Sequence, residues 1–563
     1  MEQAGAIRRR GQGSRFGLAL LGLWGAALLL HLGGLAAEPL RDWDEAIVAR
    51  VALELTERHG LGRLLPTFWG EPYLNKPPGV HLLIAAAIDL WRGPGGAGAA
   101  ALPPAWLVRL PPALVATGLP PLLALVQRRL RPDRPDMALA AGTIGLTLLP
   151  LVRHGHLAML DGSQLVAMAL VWLGVLSAGG ASGASLAAGL LTGCATSGLL
   201  LLKAPVALPV LVAALLLRAL DRDLGSPSWR ALLLGLALGL LPGLGWHGLH
   251  GLVRGAAALH MWTGQGLARV TTSLENHPGG PLPPLVQVVG GGGPWLPLWP
   301  AGMAMAWRLR RRREGRWPLG LSLLASGLVL PLQTQLPWYS LLLWPPFALV
   351  VAPVLADLVA GRLAPRLERG VAGLWSTLGG LLLLGVLLSR LPGLPADLAR
   401  PAPLALPAGV GLLLAGLLLG RGRRRLGAAL LLTGWCGSLL LLFAGPLWNW
   451  ELNEQPPIAP LIPLVSQRPA QGAALLVAEG MDRRYSLAWY AGQPLAPWPA
   501  HGDRPLPAAF ALVAPADGSA MPVQPLPAPP ATVHCQLSDA PGGGNWARWW
   551  CEQRPAPHKK RGA

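Results

Sequence analysis

Residues 183–219 read GASLAAGLLTGCATSGLLLLKAPVALPVLVAALLLRA, a run of 37 residues in which Lys203 and Arg218 are the only charged side chains. A bilayer core is crossed by about 20 apolar residues, so this stretch is too long for one span and right for two, 183–201 and 203–219, meeting at Lys203. Similar runs lie at 15–37, 105–127, 137–153, 163–180, 229–247, 285–306, 317–335, 339–358, 371–390, 403–420 and 426–445. The fold class that follows is a polytopic α-helical membrane protein with about thirteen transmembrane helices. Composition agrees: of 563 residues 52% are hydrophobic and 13% charged, and the mean hydropathy is +0.45, outside the range of soluble domains.

The net charge of +19 excludes nothing by itself, but the arginines punctuate apolar runs instead of covering one polar face, which argues against nucleic acid as a partner. They cluster after alternate spans: Arg128, Arg129, Arg131 and Arg134; Arg218 and Arg222; Arg308 and Arg310 to Arg313; Arg362, Arg366 and Arg369; Arg421 and Arg423 to Arg425. Cytoplasmic loops carry excess Lys and Arg, so every even span ends in the cytoplasm and the N-terminus, with Arg8, Arg9, Arg10 and Arg15, starts there. The run 79–91 contains Asp89 and is too short to cross; it is read as a juxtamembrane helix on the outer surface. The outer segments are then 38–104, a turn at 154–162, 248–284, 391–402 and everything after 446. The division is a transmembrane domain over 1–445 and an extracytoplasmic α/β domain over 446–563, with short strands at 473–478 and 510–514 and a helix at 485–490. Cys535 and Cys551 fall in that domain, where an oxidising compartment permits a bridge, and the tail from Pro555 is read as disordered. No Cys/His spacing of a structural zinc site occurs.

Chemistry is sought where charge sits against the trend. Asp42, Asp44 and Glu45 crowd the membrane boundary after the first span, a cluster suited to metal binding or general-base work, or equally to capping the helix that follows. Asp161 stands at another boundary and has the same two readings, site acid or helix cap. Only four lysines occur, two of them in the terminal tail; the others, Lys76 and Lys203, both fall on the outer side, where a compact ammonium suits a phosphate. The four tyrosines include Tyr73, three residues before Lys76, and Tyr339, at an outer span boundary beside Trp338. The 248–284 loop carries His250, His260, Arg269, Glu275 and His277.

In order along the chain, Asp44-Glu45-Ala46 through Glu54, Pro72-Tyr73-Leu74-Asn75-Lys76-Pro77-Pro78, Arg109-Leu110-Pro111, Leu160-Asp161, Leu202-Lys203-Ala204-Pro205 and Leu336-Pro337-Trp338-Tyr339 with Pro345 resemble a family. That family is the GT-C glycosyltransferases using polyprenyl-phosphate sugars, specifically the protein O-mannosyltransferase and lipid A aminoarabinose transferase group. The resemblance covers about residues 40–350. It implies an inverting transfer from a polyprenyl-phosphate-linked sugar donor to a lipid, glycan or protein acceptor at the outer face of a bacterial inner membrane. Asp44 would be the general base, with Glu45 and Asp161 beside it. Lys76, Lys203, Arg269, Tyr339 and Tyr73 would receive the donor phosphate. The family also implies a divalent metal near His277, although the acid expected just before the lysine is Asn75 here, and the usual Lys-Gly-Pro is Lys203-Ala204-Pro205. Two other readings remain on the sequence: a transporter, which more often places ionisable groups at mid-membrane, and a catalytically silent protein on the same fold.

Overall fold

The computed structural model describes residues 2–93, 101–263, 268–273, 279–393, 395–445, 447–448, 457–467, 474–498, 509–516, 531–539 and 546–555. Among the described residues eight helices are long and apolar enough to cross a membrane; the pair Pro135–Thr147 and Leu149–His156, bent by 60°, makes a ninth. The segment Ser182–Ala219 counts once by continuity but not by geometry. A straight helix of its 38 residues would be about 57 Å long. Yet Arg218 Nη2 donates to the Ala178 carbonyl at 3.1 Å, so the chain folds back on itself. The break is Lys203, whose φ of −153° and ψ of 79° leave the helical region. Pro205 lacks the N–H for the next turn and its ring crowds the preceding one, which explains the site of the break.

Glycines let these helices approach closely. A methyl group on Gly189 would strike the Leu232 carbonyl, and one on Gly193 the Leu236 carbonyl. The first arm of the folded segment therefore runs parallel to Trp229–Arg254, in the small-residue packing that membranes favour. The count of thirteen is reached only by including elements that fail the length test singly. The run 163–180 forms Asp161–Ser177 and 317–335 forms Arg313–Val329. The run 285–306 is divided into Leu282–Gly291, a 3₁₀ turn at Leu296–Leu298, and Trp299–Arg308. Four consecutive glycines from Gly290 and the prolines Pro294, Pro297 and Pro300 interrupt it.

The arginine-rich loops gather at one end. Arg134 bonds Asp136 and Asp357 at 2.8 Å each, Arg362 bonds the same two acids, Arg131 pairs with Glu314, and Arg424 pairs with Glu368 at 2.7 Å. Loops far apart in sequence are thereby shown to share a face.

At the other end, the loop after the first span forms helix Asp44–Thr56, a hairpin of strands β1 (Thr67–Phe68) and β2 (Glu71–Pro72), and helix Gly79–Arg92. Beyond Ala444 lies a five-stranded sheet of β3 (Ala474–Ala478), β4 (Ala496–Trp498), β5 (Ala509–Pro515), β6 (Ala531–Asp539) and β7 (Trp546–Pro555), in the order β4-β3-β5-β7-β6. β3 pairs parallel with β4 and β5, and the other pairings are antiparallel. Cys535 and Cys551 lie opposite each other on β6 and β7 and are disulfide-bonded. The residues after Pro555, read from sequence as a disordered tail, lie outside the described residues.

Helix Tyr485–Ala491 of this sheet region docks on the loop after the first span. Asp42 accepts from the Ser486 N–H at 3.0 Å, from the Ser486 hydroxyl and from Arg484, and the Tyr490 hydroxyl accepts the Leu40 N–H at 3.0 Å. Tyr485 meets Trp43 edge-on at 5.0 Å between ring centres.

Candidate active site

The break at Lys203 leaves the last carbonyls of its first arm without helical partners. One of them, Leu200, is met by His247 Nε2 at 3.1 Å. Another, Leu201, lies against Gly79, where an added Cβ would come to 2.6 Å of the oxygen. Gly79 closes the Lys76-Pro77-Pro78 turn, so its lack of a side chain lets this loop press onto the break and brings two distant lysines to one place. The turn is fixed from the other side by Glu54. This buried acid accepts from Arg50 at 2.8 Å, from the Thr67 hydroxyl at 2.6 Å and from the Gly70 N–H at 3.2 Å, which holds the hairpin before Tyr73 and Lys76.

Around this junction the charged groups converge. Lys203 Nζ lies 3.6 Å from Asp161 Oδ1 and 4.6 Å from the centre of the Tyr339 ring. Tyr339 is hydrogen-bonded by Arg269. Asp44, at the start of helix Asp44–Thr56, feels Lys76, Asp161, Lys203 and Arg269. Burial pushes its carboxyl above the ordinary carboxylate range, with Lys76 the strongest opposing influence. Burial and the neighbouring Lys203 push Lys76 below the usual lysine value against the pull of Asp44 and Asp161. Tyr73 is buried and its hydroxyl is raised by burial and by Asp44; its ring packs 5.6 Å from that of His81, which burial holds neutral at about 3.

These groups head a cavity of about 670 Å³. Asp161, Lys203, Arg269 and Tyr339 stand on its wall with Gln164 and His247, and Val206, Leu244, Leu328 and Leu342 supply an apolar body. A smaller hollow of about 30 Å³ joins Asn75 and Lys76 to Lys203 and Tyr339. An apolar chamber ending in cations suits an amphiphile with an anionic head.

Of the nine expected site residues, Asp44, Asp161, Lys76, Lys203, Arg269, Tyr339 and Tyr73 come together. Asp161 makes no capping bond, because its carboxylate faces Lys203 and the helix N-terminus is left to its backbone. Glu45, expected beside Asp44 among the catalytic acids, stands in a different setting from it. It is wholly buried, and Arg109 grips it with two bonds, Nε to Oε1 at 2.8 Å and Nη2 to Oε2 at 2.7 Å. The Ala158 N–H at 2.7 Å and the Arg41 N–H at 2.9 Å complete its shell. Burial alone would raise its pKa, but Arg109 and these donors hold it below the ordinary value. Arg109 in turn donates to the carbonyls of Leu35, Glu38 and Pro39, each at 2.8 Å. The pair thus ties the exit of the first span to the next helix and sets the position of Asp44.

His277 lies outside the described residues. Among the described residues no three His, Cys, Asp or Glu side chains gather as a metal-binding group. The acids at the cavity face ammonium groups instead. Sequence reading passed over Gln164 and His247. Gln164 lies three residues after Asp161 on the same helix face, a periodicity that could have found it. His247 is recognisable only once the break at Lys203 is seen.

Two solved structures share this arrangement of elements across the chain. ArnT from Cupriavidus metallidurans bound to undecaprenyl phosphate matches with a TM-score of 0.66 at 19% identity, covering 96% of this chain and 98% of that one. The chain has the ArnT fold, a GT-C fold. The apo structure of the same ArnT matches equally, with a TM-score of 0.66 at 18% identity over 97% of this chain and 98% of that one. No protein-family model and no curated protein matches the sequence.

Proposed function

We propose that the protein is an inverting glycosyltransferase that moves a sugar from a polyprenyl-phosphate donor to an acceptor hydroxyl or phosphate at the outer face of a bacterial inner membrane. The observation that carries this reading is the meeting of Lys76 and Lys203 with Asp44 and Asp161 beside the apolar cavity that Lys203, Asp161 and Arg269 line. Support comes from the shared fold with an ArnT that binds undecaprenyl phosphate. The polyprenyl chain would lie along the apolar wall, with its phosphate against the lysines.

In the reaction, the acceptor oxygen attacks the anomeric carbon from the face opposite the phosphate, and the bond from that carbon to the phosphate oxygen breaks. With a hydroxyl acceptor, Asp44 takes the proton; its raised pKa makes it a stronger base than an exposed carboxylate. The departing polyprenyl phosphate carries the electron pair as an anion, which Lys76, Lys203 and Arg269 stabilise. Asp161 holds Lys203 in place. The expected divalent metal enters no step, since the residues described at the cavity offer it no three-ligand group.

The test is transfer by purified protein in liposomes, using polyprenyl-phosphate sugars and a panel of lipid and glycan acceptors. Transfer that is lost in Asp44→Asn while donor binding persists supports the assignment. Undiminished transfer in that variant removes Asp44 as the base.

A further inference from the structure

A second cavity, of about 550 Å³, opens at the arginine-rich end, remote in the fold from the site above. It lies between Pro135–Thr147, Trp344–Val359, Pro365–Leu388, Ala402–Gly420 and Arg424–Ala444, each of which supplies lining residues. Its volume is typical of a small-molecule site, about 300–1,000 Å³. Trp375, Leu355, Leu419 and Leu432 form apolar walls, and the polar lining is Asp136, Thr143, Arg362, Arg424 and Arg425.

The charges at the mouth are unequal. Arg362 is held by Asp136 and Asp357, and Arg424 by Glu368, so these guanidiniums are fixed in direction while their remaining N–H groups stay available. Arg425 is exposed and has no acidic partner among the described residues. Arg425, with the remaining N–H groups of Arg362 and Arg424 beside it, stands above an apolar shaft and complements an anion carried on a hydrocarbon chain.

We infer that this cavity binds an anionic phospholipid of the arginine-side leaflet, its phosphate at Arg425, Arg424 and Arg362 and one acyl chain between the helices. Such a lipid would fill the space between helix Arg424–Ala444 and Pro135–Thr147, and so would brace the last spans against the earlier one. The site uses none of the groups proposed for sugar transfer, so its failure would leave that reading untouched.

The probe is phosphatidylglycerol. The full-length protein is placed in phosphatidylcholine nanodiscs doped with phosphatidylglycerol, and retained lipid is counted by native mass spectrometry. The expected result is selective retention of phosphatidylglycerol, lowered roughly 10-fold by Arg425→Glu and by Ala428→Phe, which fills the shaft. Excess inorganic phosphate should not displace it, because the acyl chain supplies much of the binding. Arg425 is exposed, so its reversal tests the site even if Ala428→Phe does not fold. Equal retention of phosphatidylcholine, retention unchanged in Arg425→Glu, displacement by inorganic phosphate, or preferential capture of polyprenyl phosphate at this variant-sensitive site would each overturn the inference.

Discussion

The two ends of the membrane domain treat charge in opposite ways. At the arginine-rich end Arg134 and Arg362 share Asp136 and Asp357, while Arg131 and Arg424 each hold a glutamate, so acids and bases are matched across loops. At the other end Lys76 and Lys203 face Asp44 and Asp161, and Lys203, Asp161 and Arg269 line an apolar cavity. There the two ammoniums stand in a half-dry place outside any closed bidentate pair, at a hollow where an anionic ligand can reach them. Closed pairs serve architecture, and a cation left open beside an apolar wall serves binding, as Arg425 would at the arginine-rich end. Glu45 and Arg109 show the first principle at work within the second region, since their pair is closed to any ligand.

The largest effect should come from breaking that closed pair. Glu45→Gln keeps the shape but leaves Arg109 buried without a counter-charge, a change that costs about 3–5 kcal/mol. Thermal unfolding of the purified variant should show it as a marked loss of stability with a fall in transfer. A midpoint like that of wild type would mean that the carbonyls of Leu35, Glu38 and Pro39 suffice for Arg109.

Next is Asp44→Asn, which should fold and bind donor but lose roughly 100-fold or more in turnover. The pH profile sharpens this. The base works deprotonated and burial raises its pKa, so wild-type activity should fall as pH drops through a value above the ~4 of a free carboxylate. An acid limb at ordinary carboxylate pH would show that the approaching lysines outweigh burial.

A smaller loss, roughly 10- to 100-fold in donor use, is expected of Lys76→Ala, with partial rescue by Lys76→Arg because a planar guanidinium fits the hollow differently. Lys203→Ala should lose less, since Arg269 and Tyr339 remain beside its place. Donor titrations of the three variants check the ranking; equal losses for both lysines would make the phosphate site symmetric.

Much of this was legible in the sequence for a simple reason. Span lengths, loop charge and the scarcity of lysine are one-dimensional signals, and they marked the apolar helices, the loops whose arginines share a face and the two lysines that lie together in the fold. What stayed hidden depends on distance in space. Nothing local distinguishes Asp44, near four charged groups, from Glu45, whose partner lies 64 residues away. Asp42 reads as a third loop acid, yet its partners are Arg484 and Ser486, more than 440 residues on. The interruption at 290–300 was visible as glycines and prolines, but hydropathy averaged it away.

The smallest effect belongs to the matched end. Arg362 is half exposed and its two acids remain bonded to Arg134, so Arg362→Gln removes one arm of a network that still closes. Exposed ion pairs contribute little, because water competes for both partners and salt screens them. Transfer should stay within roughly twofold of wild type, and the unfolding midpoint should move by at most about 2 °C. The comparison predicts this near-silence as firmly as it predicts the loss in Lys76→Ala: one substitution subtracts from a closed set and the other from an open one. If Arg362→Gln instead cut transfer as deeply as Lys76→Ala with the protein still folded, charge at the arginine-rich end would be coupled to the distant site, and the division between architectural and binding charge would fail.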